Sequence, residues 1–199
     1  MGTDPKESQV VLELQPKETE SERRDEPPKT PGKTLPMLPA LPVGKICTIG
    51  YTKISAEAFF KLLSDADVKV LIDVRANASY GISGYTFRRD FEYFCKLHGI
   101  ELAVLEILAP SSEIRKAYQG SSNWGKYEES FIKLLNQRKV FANPEVRKTL
   151  FESGSDGAIC FLCSEPTADK CHRRLVAEHL LKFLPNASEI KVVHLQGSC

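Results

Sequence analysis

Residues 158–163 read AICFLC, an almost uninterrupted apolar run. A short run of this kind, rich in large apolar side chains, is typical of a strand that is buried on both faces of a sheet. Residues 45–50 (KICTIG) and 68–74 (VKVLIDV) have the same character and predict two more strands. Strands that are apolar on both faces favour a parallel sheet with helices covering each side.

Helical patterns alternate with these strands along the chain. The apolar spacing predicts helices at residues 55–63, 88–98, 127–137, 143–151 and 171–184, with Ser55 and Asn143 as N-caps. Shorter strands are predicted at residues 100–105 and 190–195, and residues 106–125 are predicted to be a long loop. We therefore predict one three-layer, Rossmann-like α/β domain at residues 45–199, with a mostly parallel sheet of about five strands.

The first 44 residues differ in composition from the rest of the chain. They hold eight of the twelve prolines, and they carry eight acidic and six basic residues. Such a segment contains too little apolar surface to offset the entropy lost on ordering, so we predict a disordered N-terminal tail. The net charge of this tail is −2 by that count, which excludes a basic nucleic-acid-binding arm.

The overall composition excludes several classes of protein. The net charge is +1, so no strong field attracts nucleic acid or a membrane surface. No apolar run is long enough to cross a membrane, and the start of the chain does not read as a secretory signal. The six cysteines are scattered and several lie inside apolar runs, which favours free thiols in a reducing cytoplasm. We expect a cytoplasmic protein.

Polar residues stand at the ends of two predicted strands. Asp73 lies near the end of the predicted strand at 68–74 and Arg75 directly follows that strand, while Tyr51 follows the strand at 45–50. Ligands of open parallel sheets bind outside the carboxyl ends of the strands, so these side chains lie where a site is expected. The planar guanidinium of Arg75 suits a phosphate or carboxylate, and Asp73 is a candidate proton carrier. A structural ion pair is the alternative for the two.

The stretch from Cys163 to Arg173 is the most informative part of the chain. Cys163 and Glu165 follow the strand at 158–163, and Cys171, His172 and Arg173 open a helix. A thiol at a helix N-terminus beside positive charge is favoured as the thiolate, and the exposed N–H groups there favour an anion. We predict Cys171, Cys163, His172 and Glu165 as catalytic residues, and Arg173 with Arg75 and Tyr51 as substrate-binding residues.

Each of these residues also has an ordinary structural explanation, and two alternatives stay open. Cys163, Cys171 and His172 carry donor atoms suited to zinc, but no clear fourth ligand is evident, so we assign no metal ligand. Tyr118 and Trp124 lie in the predicted loop at 106–125, where they form a lid, a stacking surface or simple packing.

The chain resembles the family called "domain of unknown function 488" over roughly residues 46–195. The resemblance is carried by residues 48–51 (TIGY) and 71–75 (LIDVR), by Cys163-Ser164-Glu165, and by Cys171-His172-Arg173-Arg174. It implies an α/β fold in which one group of side chains clusters in space: Asp73, Arg75, Cys163, Glu165, Cys171, His172 and Arg173. It implies no particular reaction.

Three functions are compatible with these residues. The first is an enzyme that acts on a phosphorylated, nucleotide or nucleic-acid substrate, held by Arg75 and Arg173, with Cys171 or Cys163 as nucleophile. The second is a non-catalytic module that binds nucleic acid or another anionic ligand. The third is a metal or redox protein that uses the thiols and His172. The sequence specifies no cofactor and no partner protein.

Overall fold

The structure, a computed structural model, describes residues 37–77, 84–153 and 157–197. Within these residues the strands are β1 (Lys45–Gly50), β2 (Val68–Asp73), β3 (Glu101–Val104), β4 (Ala158–Cys163) and β5 (Lys191–Leu195). They form one sheet in the order β3-β2-β4-β1-β5, in which every pairing is parallel. The predicted parallel α/β fold is confirmed.

Helices cover both faces of this sheet. They are α1 (Ala56–Asp65), α2 (Arg88–Leu97), α3 (Ser112–Ser121), α4 (Trp124–Gln137), α5 (Pro144–Phe151) and α6 (His172–Leu181). On one face, α1 and α2 pack Phe59, Phe60 and Phe91 into a core. On the other face, α4, α5 and α6 bury a second core that includes Phe131 and Leu180. The two cores make the domain a three-layer structure.

The chain leaves β1 and β4 toward opposite faces of the sheet. β1 is followed by α1 on one face, and β4 is followed by α6 on the other face. The two strands are hydrogen-bonded neighbours, and Gly50 is the register partner of Cys163 at their carboxyl ends. Where neighbouring strands send the chain in opposite directions, a crevice opens at their carboxyl ends, and that crevice is the usual ligand site of such sheets.

Two helix starts that the sequence predicts are confirmed. The Ser55 hydroxyl accepts a hydrogen bond from the Ala58 amide at the start of α1. The Asn143 side chain accepts from the Val146 amide at the start of α5, and Pro144 occupies the first helical position. These side chains satisfy amides that have no partner inside the helix.

The prediction of one long loop over residues 106–125 is wrong. That stretch holds a 3₁₀ turn at Glu106–Leu108, the whole of α3 and the first residues of α4. Helix α3 is fully described, and none of its residues is buried. Without a buried stripe the helix shows no apolar periodicity, which is the signal on which the prediction depended.

The described part of the chain begins before β1, with residues that pack on the domain. Leu38, Leu41 and Val43 are buried in the core of the α6 face. The Leu38 amide donates to the carbonyl of Phe183, 2.9 Å away. The predicted tail spans residues 1–44, but residues 37–44 pack on the domain. The remaining part of the predicted tail, residues 1–36, lies outside the described residues. No helix in the described ranges is long and apolar enough to cross a membrane.

Candidate active site

A cavity of about 450 Å³ lies at the carboxyl ends of β1 and β4. Its walls come from both strand ends, from the residues that follow β2, from α3 and α4, and from the turn before α6 with the start of that helix. It is lined by Tyr51, Arg75, Ala76, Asn77, Pro110, Arg115, Tyr118, Gln119, Trp124, Tyr127, Cys163, Ser164, Glu165, Lys170, Cys171 and His172. All the site residues predicted from the sequence are among them except Asp73 and Arg173.

Cys163 and His172 form a hydrogen-bonded pair at the base of the cavity. Sγ of Cys163 lies 3.6 Å from Nδ1 of His172. On the other side of the ring, Nε2 lies 2.9 Å from the carbonyl oxygen of Val74. A carbonyl only accepts hydrogen bonds, so Nε2 carries a proton and Nδ1 faces the sulfur. Nδ1 is thereby placed to take the proton of the thiol.

The ring of His172 is also held in place by packing. It meets the ring of Phe131 edge to face, with the centroids 5.9 Å apart. A nucleophile, a base in contact with it and a third group that orients the base make the arrangement common to enzymes with activated cysteines. Here the third group is a backbone carbonyl rather than a carboxylate.

The pKa values of the two cysteines that line the cavity are shifted in opposite directions. A hydrogen bond from the Cys171 thiol lowers the pKa of Cys163 well below its usual value, against the effect of burial, and the charge of His172 lowers it further. That same hydrogen bond, together with burial and the charge on Cys163, raises the pKa of Cys171. Sequence reasoning favoured the thiolate at Cys171, whereas these contacts favour it at Cys163.

The charge of His172 follows from this pairing. Burial of the ring opposes protonation, but the negative charge on Cys163 and the hydrogen bond to it raise the pKa of His172. The backbone N–H of Glu165 also donates to the Cys163 sulfur. Both shifts favour a thiolate at Cys163 beside a protonated His172, with Cys171 as a neutral donor.

The loop after β4 is held rigidly against β1. The amide and the hydroxyl of Thr52 both donate to the carbonyl of Ser164, at 3.2 and 2.6 Å. A Cβ built on Gly50 lies 1.7 Å from the carbonyl oxygen of Glu165, so any residue larger than glycine would clash with the loop. This close approach fixes the backbone that carries Cys163 and Glu165.

Arg173 also holds this loop in place through hydrogen bonds of its side chain. Its side chain has no exposed surface. Its Nη1 donates to the carbonyl of Glu165 and to Sγ of Cys171, the latter at 3.3 Å. We predicted that Arg173 binds substrate. Its contacts with the protein and its absence from the cavity wall instead fit a role in positioning the loop.

Asp73 and Arg75 form a buried ion pair behind the cavity. Nη2 of Arg75 lies 2.6 Å from one oxygen of Asp73, and Nε lies 2.9 Å from both oxygens. Asp73 is 1% exposed, so the carboxylate does not reach the cavity. Burial opposes the charge on Arg75, but the hydrogen bond and charge of Asp73 still raise the pKa of Arg75.

Arg75 reaches the cavity wall beside an aromatic ring. Its guanidinium carbon lies 5.0 Å from the centre of the Tyr51 ring. The aromatic face and the Asp73 carboxylate hold the guanidinium in one orientation, which suits it to recognise an anion.

Sequence reasoning missed or left open the outer wall of the cavity. Arg115 from α3 and Lys170 from the turn before α6 are exposed cationic residues that line the cavity together with the exposed Glu165. Trp124 stacks on Tyr127 with centroids 4.9 Å apart, and Tyr118 meets Trp124 edge-on at 5.8 Å. No local pattern marks Arg115, because only the fold brings it beside Cys163. Lys170 directly precedes Cys171, and that position is the signal that could have found it.

The same site holds a group of possible metal donors. Donor atoms of Cys163, Cys171 and His172 all lie within 4.8 Å of one another, and the described residues add no fourth member to the group. Two thiols and an imidazole are a combination that zinc accepts, with a fourth position left for water or substrate. The zinc hypothesis thus has a specific site, and metal analysis of the purified protein tests it.

Comparison with known proteins supports the same family as the sequence features. No curated protein and no solved structure matches the chain. The model of the family described as "Domain of unknown function DUF488" matches residues 55–180, which is more than half of the chain and includes Asp73, Cys163 and His172. The chain therefore belongs to the family "Domain of unknown function DUF488".

Proposed function

We propose that this domain is an enzyme in which the Cys163 thiolate attacks an anionic substrate bound in the cavity. The observation that carries the proposal is the chain of contacts from Cys163 to His172 to the Val74 carbonyl. A structural cysteine does not need an oriented base beside it. The pair of thiol and oriented base lies in an open cavity at the carboxyl ends of β1 and β4, and this position favours nucleophilic catalysis.

The reaction class is group transfer through a covalent intermediate on sulfur. Sγ of Cys163 forms a bond to an electrophilic carbon or phosphorus atom, and the bond from that atom to the leaving group breaks. The leaving group takes the proton from Nδ1 of His172, which becomes neutral. Neutral His172 then removes a proton from water or from a second substrate, which attacks the intermediate and frees the sulfur.

Three further side chains assist this step without forming covalent bonds to the substrate. Cys171 donates to the sulfur of Cys163 and holds it as a thiolate between turnovers. Glu165 is exposed at the cavity and is the second candidate for proton transfer. Asp73 acts indirectly, because its carboxylate orients Arg75.

The charges at the cavity favour an anionic substrate. Arg75, Arg115 and Lys170 line it, against one carboxylate from Glu165. The aromatic wall of Tyr118, Trp124 and Tyr127 suits a planar group. A phosphorylated small molecule or a nucleotide component combines both features, and it is the substrate class that we propose.

Alkylation of the thiols tests the nucleophile directly. We expect iodoacetamide to label Cys163 at pH 7, well below the value of about 8.5 at which an ordinary thiol ionises. The buried Cys47, Cys95 and Cys160 serve as internal controls, because burial raises the pKa of each of these thiols. A Cys163 that reacts only above about pH 8.5 would contradict the proposal.

A ligand screen tests the substrate class. A phosphorylated compound that binds the native cavity raises the melting temperature, and Arg115→Ala with Lys170→Ala abolishes that shift. Turnover that is lost in Cys163→Ser identifies an enzyme. A ligand that binds the wild type and Cys163→Ser equally well, and that the wild type never converts, would instead indicate a non-catalytic binding module.

A further inference from the structure

The two cavity cysteines are placed to react with each other as well as with a substrate. Both are free thiols, and both line the cavity. Their sulfurs lie within 4.8 Å of each other. A disulfide needs a sulfur–sulfur distance of about 2.05 Å, so the two side chains must change rotamer to form it. Intracellular disulfides of this kind are usually transient and redox-sensing or catalytic.

We infer that Cys163 and Cys171 form a reversible disulfide when a hydroperoxide enters the cavity, and that this disulfide switches the proposed enzyme off. The inference rests on the proposed function, because the sulfur that reacts with peroxide is the proposed nucleophile. It adds a modification site, a class of oxidant and a role for Cys171 that the group-transfer reaction does not require.

The first step oxidises Cys163. Its thiolate attacks one oxygen of the hydroperoxide, an S–O bond forms and the O–O bond breaks. The departing hydroxide or alkoxide takes the proton from Nδ1 of His172 and leaves as water or alcohol. Two electrons pass from the sulfur to the peroxide, Cys163 becomes a sulfenic acid, and His172 becomes neutral.

The second step consumes Cys171. Its sulfur attacks the sulfur of the sulfenic acid, the S–S bond forms and the S–O bond breaks. The thiol proton of Cys171 leaves with the hydroxide as water. The net change is two thiols and one hydroperoxide converted to one disulfide, one water and one further water or alcohol.

The surroundings of Cys171 favour this order of events. The Cys163 thiolate raises the pKa of Cys171 through its hydrogen bond and its charge. Both effects end when Cys163 becomes an uncharged sulfenic acid, whereas Nη1 of Arg173 stays 3.3 Å from Sγ of Cys171. Oxidation of the first sulfur therefore makes the second one a better nucleophile, which is the behaviour of a resolving cysteine.

Peroxide treatment followed by alkylation and peptide mapping tests the inference on the full chain. We expect a low excess of hydrogen peroxide to block both Cys163 and Cys171 together and to yield one linked peptide within a single chain. Dithiothreitol restores both thiols. Cys47, Cys95 and Cys160 remain alkylatable after unfolding, and mapping separates Cys199, which lies outside the described residues.

The Cys171→Ser variant is the matched control, because serine keeps a hydrogen-bond donor but removes the second sulfur. We expect Cys163 of this variant to be trapped by dimedone as the sulfenic acid and to proceed to the sulfinic acid with more peroxide. Cys171→Ala is a second variant with the same expectation for the disulfide. The Cys163→Ser variant forms no disulfide and leaves Cys171 reduced.

The outcomes separate this inference from the proposed function. If wild-type Cys163 labels with iodoacetamide at pH 7 but peroxide leaves Cys171 reduced, the switch is overturned and the nucleophile stands. A disulfide between chains, or one that joins Cys163 to Cys199, also overturns it. If Cys163 resists both reagents at pH 7, the proposed function fails first and the switch fails with it.

Discussion

At the scale of single residues, Cys163 and Cys171 show how far surroundings decide the chemistry of a side chain. Both are buried thiols near the N-terminus of α6, yet only Cys163 has an imidazole at hydrogen-bonding distance. Cys171 donates to the sulfur of Cys163 instead of competing for His172. The helix N-terminus, which favours any nearby thiolate, does not distinguish them, and the position of His172 does.

Removing the donor at position 171 makes Cys163 less acidic. In Cys171→Ala the hydrogen bond to the thiolate is lost, so the pKa of Cys163 rises and a smaller fraction is ionised at pH 7. The rate of iodoacetamide labelling against pH then shifts to higher pH. Cys171→Ser, which keeps a donor, shifts it less. Identical profiles for the two variants would show that the hydrogen bond does not matter.

His172→Gln tests the other contact of the sulfur. Glutamine provides no imidazolium, so the pKa of Cys163 rises and labelling at pH 7 slows. The melting temperature is measured beside it, since the loss of packing on Phe131 alone would lower stability without moving the pH profile. An unchanged profile would remove His172 from the proposed mechanism.

The Asp73–Arg75 pair predicts a large loss of stability when one partner is removed. Asp73→Asn leaves a buried guanidinium without its counter-charge, and a change of this kind costs about 3–5 kcal/mol. Chemical denaturation measures the free energy of unfolding. The double variant with Arg75→Met removes both charges, so it should be more stable than Asp73→Asn alone. A single variant within about 1 kcal/mol of wild type would contradict the pairing.

At the scale of elements, the approach of the Glu165 loop to β1 depends on Gly50. In Gly50→Ala the new methyl group meets the carbonyl oxygen of Glu165, so the loop must move. We expect a loss of roughly 1–3 kcal/mol by denaturation and slower alkylation of Cys163 at pH 7. Gly44→Ala is the control, because a Cβ there has nothing within 4 Å. Equal effects of the two substitutions would contradict the close packing of the Glu165 loop against Gly50.

The elements also show which parts of the fold the sequence could predict. The strands β1, β2 and β4 were predictable because burial on both faces leaves an unbroken apolar run. Helix α3 was not, since all ten of its described residues keep some exposure. Its local signals are confined to its start, where the Ser111 hydroxyl accepts from the Ile114 amide as an N-cap and Glu113 lies in the first turn.

The exposure of α3 predicts that it is the least protected helix at the cavity. It lacks the anchors of α4, which buries Tyr127, Phe131 and Leu135. Hydrogen–deuterium exchange should therefore show faster exchange across Ser112–Ser121 than across Trp124–Gln137. Since Arg115 lines the cavity, a bound anion should slow the exchange of α3 more than that of α5. Equal protection of α3 and α4 would contradict this view.

At the scale of the whole molecule, the strand order explains what could be predicted of the site. The rule that ligands bind at strand ends sufficed to predict Arg75, Cys163 and His172 near one another. It could not supply Arg115, since α3 is distant from Cys163 in the sequence and only packing brings the two together. It also could not show that Asp73 and Arg173 face away from the cavity, because their orientation depends on buried partners.

A buried histidine predicts how the stability of the domain depends on pH. Burial lowers the pKa of His179 from 6.5 to about 4. Nε2 lies 3.0 Å from the side-chain oxygen of Asn136, and Nδ1 is buried without a partner among the described residues. A proton on Nδ1 would therefore be an unpaired buried charge.

Between pH 6.5 and pH 4 the unfolded chain thus binds a proton that the native state refuses, so stability falls as the pH falls through this window. This difference in pKa between the unfolded and native states changes the free energy of unfolding by on the order of 3 kcal/mol. Denaturation at a series of pH values measures the slope. His179→Gln should flatten it, because it removes the group that binds the proton. An unaltered slope in His179→Gln would contradict the assignment.

The group that orients His172 is the backbone carbonyl of Val74. A backbone group cannot be removed by an ordinary amino-acid substitution. Every amino acid has a carbonyl there, so no codon change at that position deletes the contact outright. Of the three groups in this chain of contacts, a mutational scan can therefore delete only two, the Cys163 thiol and the His172 imidazole. The third group would become visible only through backbone chemistry, such as replacement of the amide by an ester.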